Sequence, residues 1–271
     1  MAIITASILD ADYSQLEHEV TRVANAGVDA FSLDVMDGHF VPRITFGEYL
    51  VAQIRNWIDL PIEVHLMVDE PHKWVQRICD AGADMVVFHL EAATNPDELI
   101  DRIRREKRQV GLALKCETPI ENLSDDLMAK VDLVNLVSVP LGFGGNASAP
   151  DTFERIRVVR ERALTAAIEL GVEVDGGVKP SNAAQYVEAG ADMLTVGTGI
   201  YHAENANDAV RVLRETTRGP ADEQARARLK EFLSVPSTTP VDDAARRARL
   251  EALRLAQDIP RRIWDPLTAP R

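Results

Sequence analysis

Cysteine is scarce in this chain: 271 residues hold only Cys79 and Cys116, far apart and in no CxxC pair. That argues against a disulfide framework or a redox motif, and it fits a reducing cytoplasm. Long apolar runs are also missing. None approaches the roughly 18 residues that a membrane span needs, so no membrane contact is expected. The start, MAIITASILD, has no basic stretch ahead of a long apolar core, so no signal peptide is expected either. Positive charge is in short supply. Lys and Arg number 30 against 43 Asp and Glu, a formal net charge of −13. Nucleic acid and anionic lipid are poor partners for such a surface. Residues 221–271 carry ten Lys/Arg and eight Asp/Glu, a net of +2, which leaves −15 on the first 220. A phosphate ligand would therefore have to be held by local backbone donors rather than by long-range attraction.

What is present is an alternation of β-branched runs and helical patterns. Candidate strands are Ile3–Leu9, Ala30–Val35, Ile62–Met67, Met85–His89, Val110–Leu114, Leu133–Val139, Gly171–Asp175 and Met193–Val196. Helical spacing is clearest over Tyr13–Ala26, His72–Ala81, Asp97–Glu106, Phe153–Leu170 and Asn182–Ala189. Ala26-Gly27-Val28-Asp29, Ala81-Gly82-Ala83-Asp84 and Ala189-Gly190-Ala191-Asp192 repeat one punctuation. In each, Gly ends a helix and Asp begins the next strand. Strand–helix alternation implies a parallel sheet covered by helices. Eight units fit a closed (β/α)8 TIM barrel over residues 1–218. An open doubly wound sheet would show a glycine fingerprint after its first strand, and here that strand ends Ser7-Ile8-Leu9-Asp10. Residues 219–271 form a helical C-terminal extension, with a helical pattern over Asp222–Leu233 and a second helix opening at Thr239-Pro240. Packing on the barrel's outside, packing on another subunit, and a solvated tail are all open for it.

Barrel enzymes carry their reactive groups at the C-terminal ends of the strands. Alternation puts Ser32, Asp34 and Met36 on one face of the second strand, and His65 and Met67 on one face of the third. The first strand ends at Ser7 and the seventh at Asp175. If these faces share the barrel mouth, two carboxylates and an imidazole converge. Such a set can ligate a divalent ion, or serve as two bases on opposite sides of a flat substrate. Spacing alone leaves ordinary capping and hydrogen-bonding roles open. A second cluster is glycine-rich: Gly142-Phe143-Gly144-Gly145, then Gly176-Gly177, then Gly197-Thr198-Gly199. Successive backbone N–H groups can cradle an anion, and loops after strands seven and eight often hold phosphate in this barrel. His39 reads as an organiser of its own loop, His89 as a residue lining the mouth, and His18, His72 and His202 as solvated.

These residues resemble a known family. Leu33-Asp34-Val35-Met36-Asp37-Gly38-His39-Phe40-Val41-Pro42, Val64-His65-Leu66-Met67-Val68, Gly142-Phe143-Gly144-Gly145 and Glu173-Val174-Asp175-Gly176-Gly177-Val178 are similar, in order and interval, to the ribulose-phosphate 3-epimerases over about residues 1–217. The resemblance implies a homo-oligomeric isomerase that uses one divalent metal ion (Zn, Mn, Fe, Co or Mg) and acts on a small-molecule sugar phosphate. Ribulose 5-phosphate is the default substrate and allulose 6-phosphate the near alternative. Another enediolate isomerase or decarboxylase, and a non-catalytic sugar-phosphate sensor, stay open. By resemblance Asp34 and Asp175 are acid/base residues and metal ligands, and His65 is a further ligand. Ser7, His65, Met36 and Met67 bind substrate. Gly142, Phe143, Gly144, Gly145, Gly176, Gly177, Gly197 and Thr198 bind phosphate. The chain departs from the family at Ser32, where a fourth ligand, a histidine, is usual. A serine hydroxyl suits zinc poorly, so either weaker metal binding or a harder ion such as Mn²⁺ or Mg²⁺ is expected. Around GFGG, Pro140-Leu141 and Asn146 replace the usual neighbours.

Overall fold

The computed structural model describes residues 2–142, 147–218 and 227–234. Eight parallel strands close into one barrel in sequence order: β1 (Ile3–Ser7), β2 (Ala30–Met36), β3 (Ile62–Met67), β4 (Met85–His89), β5 (Gln109–Leu114), β6 (Leu133–Val137), β7 (Gly171–Asp175) and β8 (Met193–Val196). The outer ring is α1 (Leu16–Asn25), α2 (Glu48–Trp57), α3 (Val75–Ala81), α4 (Pro96–Arg105), α5 (Asp125–Met128), α6 (Thr152–Thr165), α7 (Ala183–Ala189), α8 (Thr198–Tyr201) and α9 (Ala206–Thr216). The expected strands are all there, with ends shifted by at most two residues. The helix expected over Phe153–Leu170 stops at Thr165, where Ala166 and Ala167 turn the chain, Ala167 with a φ of 52°.

Outward residues of the strands pack against the helices in one apolar layer, among them Ile4, Phe31, Leu33, Val64, Leu66 and Phe88. Burying such side chains stabilises the fold by about 1.5–3 kcal/mol each relative to exposure. The inward residues are different. Thr5, Ser32, Glu63, Asn135, Glu173 and Thr195 are polar and buried, so the middle of the barrel is hydrophilic.

The repeated Ala-Gly-(Val/Ala)-Asp punctuation has a physical purpose at the barrel's lower rim. Gly82 and Gly190 adopt the left-handed conformation that ends α3 and α7, at φ 107° and 115°. The aspartate that follows accepts a hydrogen bond from a backbone N–H of the neighbouring strand. Asp29 takes Ile4 N–H at 2.9 Å, Asp84 takes Ile62 at 2.9 Å and Asp192 takes Val172 at 3.0 Å. Asp132, outside the punctuation, does the same for Val110 at 2.7 Å. A helix arginine clasps each carboxylate: Arg214, Arg55, Arg160 and Arg104 respectively.

The floor of the barrel is closed by the segment 227–234, which includes a last helical turn, α10 (Lys230–Leu233). Leu229 and Phe232 are fully buried against Ile3, Ala30, Met85, Leu133 and Met193, which lie at or near the strands' first residues. Gly171 has no side chain because Leu229 stands there: a Cβ would meet its Cδ2 at 2.8 Å. Arg228 reaches Asp192 at 2.6 Å, and Gln109 donates to Glu231 at 2.8 Å. This part of the extension thus packs under the barrel through Leu229 and Phe232, while Ala227, Lys230, Glu231 and Ser234 face solvent. The helix expected from Thr239-Pro240 lies outside the described residues, as do 219–226.

Candidate active site

The site forms at the C-terminal ends of the strands because register sets it there. Asp34 on β2 stands opposite His65 on β3, and Met36 opposite Met67. On the other side of the barrel, Asp175 on β7 stands opposite Val137 and Thr195. Side chains of both aspartates converge on His65. Its Nδ1 lies 3.2 Å from Asp34 Oδ1 and 3.4 Å from Asp175 Oδ2. Ser7 Oγ donates to Asp34 Oδ2 at 2.8 Å, which holds that carboxylate in place. Both aspartates line an open cleft with Ser7, Met36 and Met67. Met36 and Met67 pack with Val41, Leu9, Phe40 and Leu141 to form its apolar wall. So the two carboxylates share one solvent-connected cavity, as the sequence pattern requires.

The electrostatics follow from burial. Burial raises the Asp175 carboxyl, while the hydrogen bond to His65 draws it down and the Asp34 charge raises it again. For His65, burial lowers the imidazole, but the two aspartates outweigh it and lift it to about 10. A cation held between two carboxylates is what such a cluster demands. Asp34, His65 and Asp175 each offer a donor atom, all within 4.8 Å of one another. The 3.2 and 3.4 Å separations suit an ion with bonds of roughly 2.0–2.2 Å, whose ligand atoms sit about 3.0–3.5 Å apart. The three residues therefore fit a divalent ion. Among the described residues no other cluster of three such donors occurs.

Ser32 does not reach into that cluster. It is fully buried below it, and its Oγ donates to Glu63 Oε1 at 3.1 Å. Burial pushes Glu63 up to about 7, and also pushes Glu173, which accepts from Thr195, well above the ordinary carboxylate range.

A relay missed by the sequence reading supports His65 from behind. His65 Nε2 meets His89 Nε2 at 2.9 Å, and His89 Nδ1 meets Glu91 Oε2 at 3.1 Å. Burial takes His89 down to about 4 despite the pull of Glu91. Burial would raise Glu91, but His89, Thr118 and the Lys115 backbone N–H together hold it down at about 2. A neutral His89 can accept from His65 Nε2–H while it donates Nδ1–H to the Glu91 carboxylate. With a divalent ion in place of the Nδ1 proton, that order would leave the Nδ1 lone pair of His65 free to ligate it. His89 was expected to line the mouth; it lies instead fully buried behind His65 and outside the cleft lining, and its partner Glu91 carried no signal beyond being acidic two residues on. His39 binds its own loop through Asp37, as expected.

The glycine loops occupy the far end of the same cleft. Gly142, Gly176, Gly177, Gly197 and Thr198 all line it. Phe143, Gly144 and Gly145 lie outside the described residues. Gly176 and Gly177 take φ values of 102° and 66°, which β-carbon-bearing residues rarely adopt. Two further residues of this end were not foreseen. Asp10 also lines the cleft, and Arg43 crosses its rim to donate to the Gly142 carbonyl at 3.2 Å.

With this geometry in hand, comparison with known proteins is decisive for the family. The model of the Ribulose-phosphate 3 epimerase family matches residues 3–201. The chain belongs to that family. The Ribulose-phosphate 3-epimerase of Synechocystis is 36% identical over 218 residues, covering 80% of this chain and 94% of that one. Its Bacillus subtilis counterpart is 37% identical, covering 79% and 99%. This family member is thus an isomerase of the epimerase kind. Solved structures extend the likeness in fold alone. Orotidine 5'-phosphate decarboxylase from Pyrococcus horikoshii aligns with a TM-score of 0.58 at 18% identity, covering 80% and 99%. KGPDC from Streptococcus mutans aligns at 0.60 and 14% identity, covering 80% and 97%. The segment 227–234 that closes the barrel floor lies beyond the family match.

Proposed function

We propose that this epimerase interconverts D-ribulose 5-phosphate and D-xylulose 5-phosphate by proton transfer at C3. The observation that carries the reading is the pair Asp34 and Asp175, which converge from opposite sides of the barrel on one cleft with His65 between them. Epimerisation next to a carbonyl needs a base on each side of a planar intermediate. Asp34 removes the C3 proton from one face, leaving an enediolate. Asp175 then delivers a proton to the opposite face, and the reverse reaction exchanges their roles. Ser7, by donating to Asp34, keeps that carboxylate oriented. Met36 and Met67 keep water from the face of the intermediate. The backbone of Gly176, Gly177, Gly197 and Thr198, joined by Gly142 and its neighbours Phe143, Gly144 and Gly145, holds the phosphate and so fixes C3 relative to the two carboxylates.

Asp34, His65 and Asp175 would hold one divalent ion, and its charge would stabilise the enediolate oxygens. Two carboxylates, one imidazole and no donor from Ser32 favour Mn²⁺ or Mg²⁺ over zinc. We place the enzyme in the cytoplasm as a homo-oligomer, with the barrel domain ending near residue 218. Among the described residues, no helix is long and apolar enough to cross a membrane. Gel filtration coupled to light scattering tests the assembly, and a monomer at micromolar concentration refutes it.

NMR of ribulose 5-phosphate incubated with the enzyme in D₂O, with and without added Mn²⁺, tests the activity. Xylulose 5-phosphate carrying deuterium at C3 is the expected product. Deuterium at C1 indicates an aldose–ketose isomerase instead, and binding without exchange indicates a sensor.

A further inference from the structure

We infer that Asp10 is a built-in competitor for the substrate's phosphate, a carboxylate that occupies the anion-holding end of the cleft and sets how tightly phosphate binds. This rests on the phosphate reading of that end. The placement is direct. Asp10 ends the short turn Ile8–Asp10 that follows β1, and this turn folds the side chain back over the cleft. Its Oδ2 lies against Gly197: a Cβ on Gly197 would meet that oxygen at 2.1 Å. The Thr198 backbone N–H faces the same carboxylate and favours its charged form. Gly197 and Thr198 are two of the positions whose backbone would otherwise face a phosphate.

An anion therefore sits where an anion should bind. Like charges brought together in a partly desolvated cleft repel strongly. The barrel adds to the problem, since its first 220 residues carry a net −15. Phosphate can reach Gly197 only if Asp10 turns away. The Arg43 guanidinium acts on Asp10 from nearby and gives the displaced carboxylate a destination. Ser7, not Asp10, holds Asp34, and Asp10 is outside the Asp34–His65–Asp175 donor set, although its charge reaches both aspartates. Its placement is thus a matter of affinity, with each phosphate bound at the expense of an internal carboxylate contact.

Two variants test this. Asp10→Asn keeps the shape and removes the charge, and Asp10→Ser removes both. Isothermal titration with inorganic phosphate, on the full chain, is the first measurement. Both variants should bind phosphate about tenfold or more tightly than the wild type. The KM for ribulose 5-phosphate should fall in the same direction, while binding of unphosphorylated ribulose should change less than twofold. Phosphate affinity that is unchanged or weaker in both variants overturns the inference, as does a gain that unphosphorylated ribulose shares equally. Failure of the activity reading is separable. If no protein exchanges deuterium at C3 yet the variants bind phosphate more tightly, the inference holds and the activity assignment falls. If exchange proceeds and phosphate affinity does not rise, the inference alone falls.

Discussion

His65 uses both of its ring nitrogens, one towards the aspartates and one towards His89, and each contact constrains the other. The chain His65–His89–Glu91 is buried at its first two members and ends on a carboxylate held by Thr118 and the Lys115 amide. Removing the charge of Glu91 should free His89 to rotate and let His65 turn away from the cleft. Glu91 is depressed in the folded protein from the ordinary 4.5 to about 2. Its stabilisation is therefore fully present above about pH 4.5 and is lost as pH falls towards 2. Thermal melts of Glu91→Gln should show a lowered Tm at pH 7 and a gap to wild type that narrows as pH drops to 3. A gap independent of pH would mean that Glu91 acts by packing alone. Ser32 makes the complementary case. Since its hydroxyl turns to Glu63 rather than to the cluster, metal titration of chelated protein should show Mn²⁺ or Mg²⁺ supporting activity and zinc held weakly. Ser32→His should then raise zinc affinity by about tenfold or more. Tight wild-type zinc at full occupancy would refute this.

At the scale of elements, the strands were the legible part. They are short β-branched runs, three of them preceded by the Gly-Asp punctuation, and both of those signals are local. The helix α2 was not, because Glu48–Trp57 spreads Tyr49, Leu50, Val51, Ala52, Ile54 and Trp57 round most of its circumference and blurs the period. The arginine clasps were equally hidden. Arg55 and Asp84 meet across 29 residues, and no local pattern announces that. The Asp34 and His65 motifs were readable since each is carried on one strand, whereas Asp10 and Glu91 acquire their roles only when loops fold back. The tail segment was readable as helical but not as a floor. Leu229 and Phe232 look like any apolar pair on a short helix, and only the Gly171 gap opposite Leu229 shows where they go. Phe232→Ala should cost about 3–5 kcal/mol in urea unfolding. A loss below about 1 kcal/mol would show that the barrel does not rely on this segment.

For the molecule as a whole, the barrel divides its labour by end. The lower rim is built of Asp–Arg clasps and an apolar plug, and it serves stability. The upper rim gathers groups that burial and mutual charge make costly, and it serves chemistry. A strongly acidic surface surrounds both, so substrate capture depends on the cleft itself. The central claim is that Asp34 and Asp175 act as bases on opposite faces of one intermediate. Deuterium uptake at C3 of ribulose 5-phosphate, followed by NMR in wild type, Asp34→Asn and Asp175→Asn, tests it most directly. Rapid uptake with epimerisation in the wild type, and loss of epimerisation by about a thousandfold or more in each variant, is the predicted result. Epimerisation that survives largely intact in either variant would contradict the two-base account.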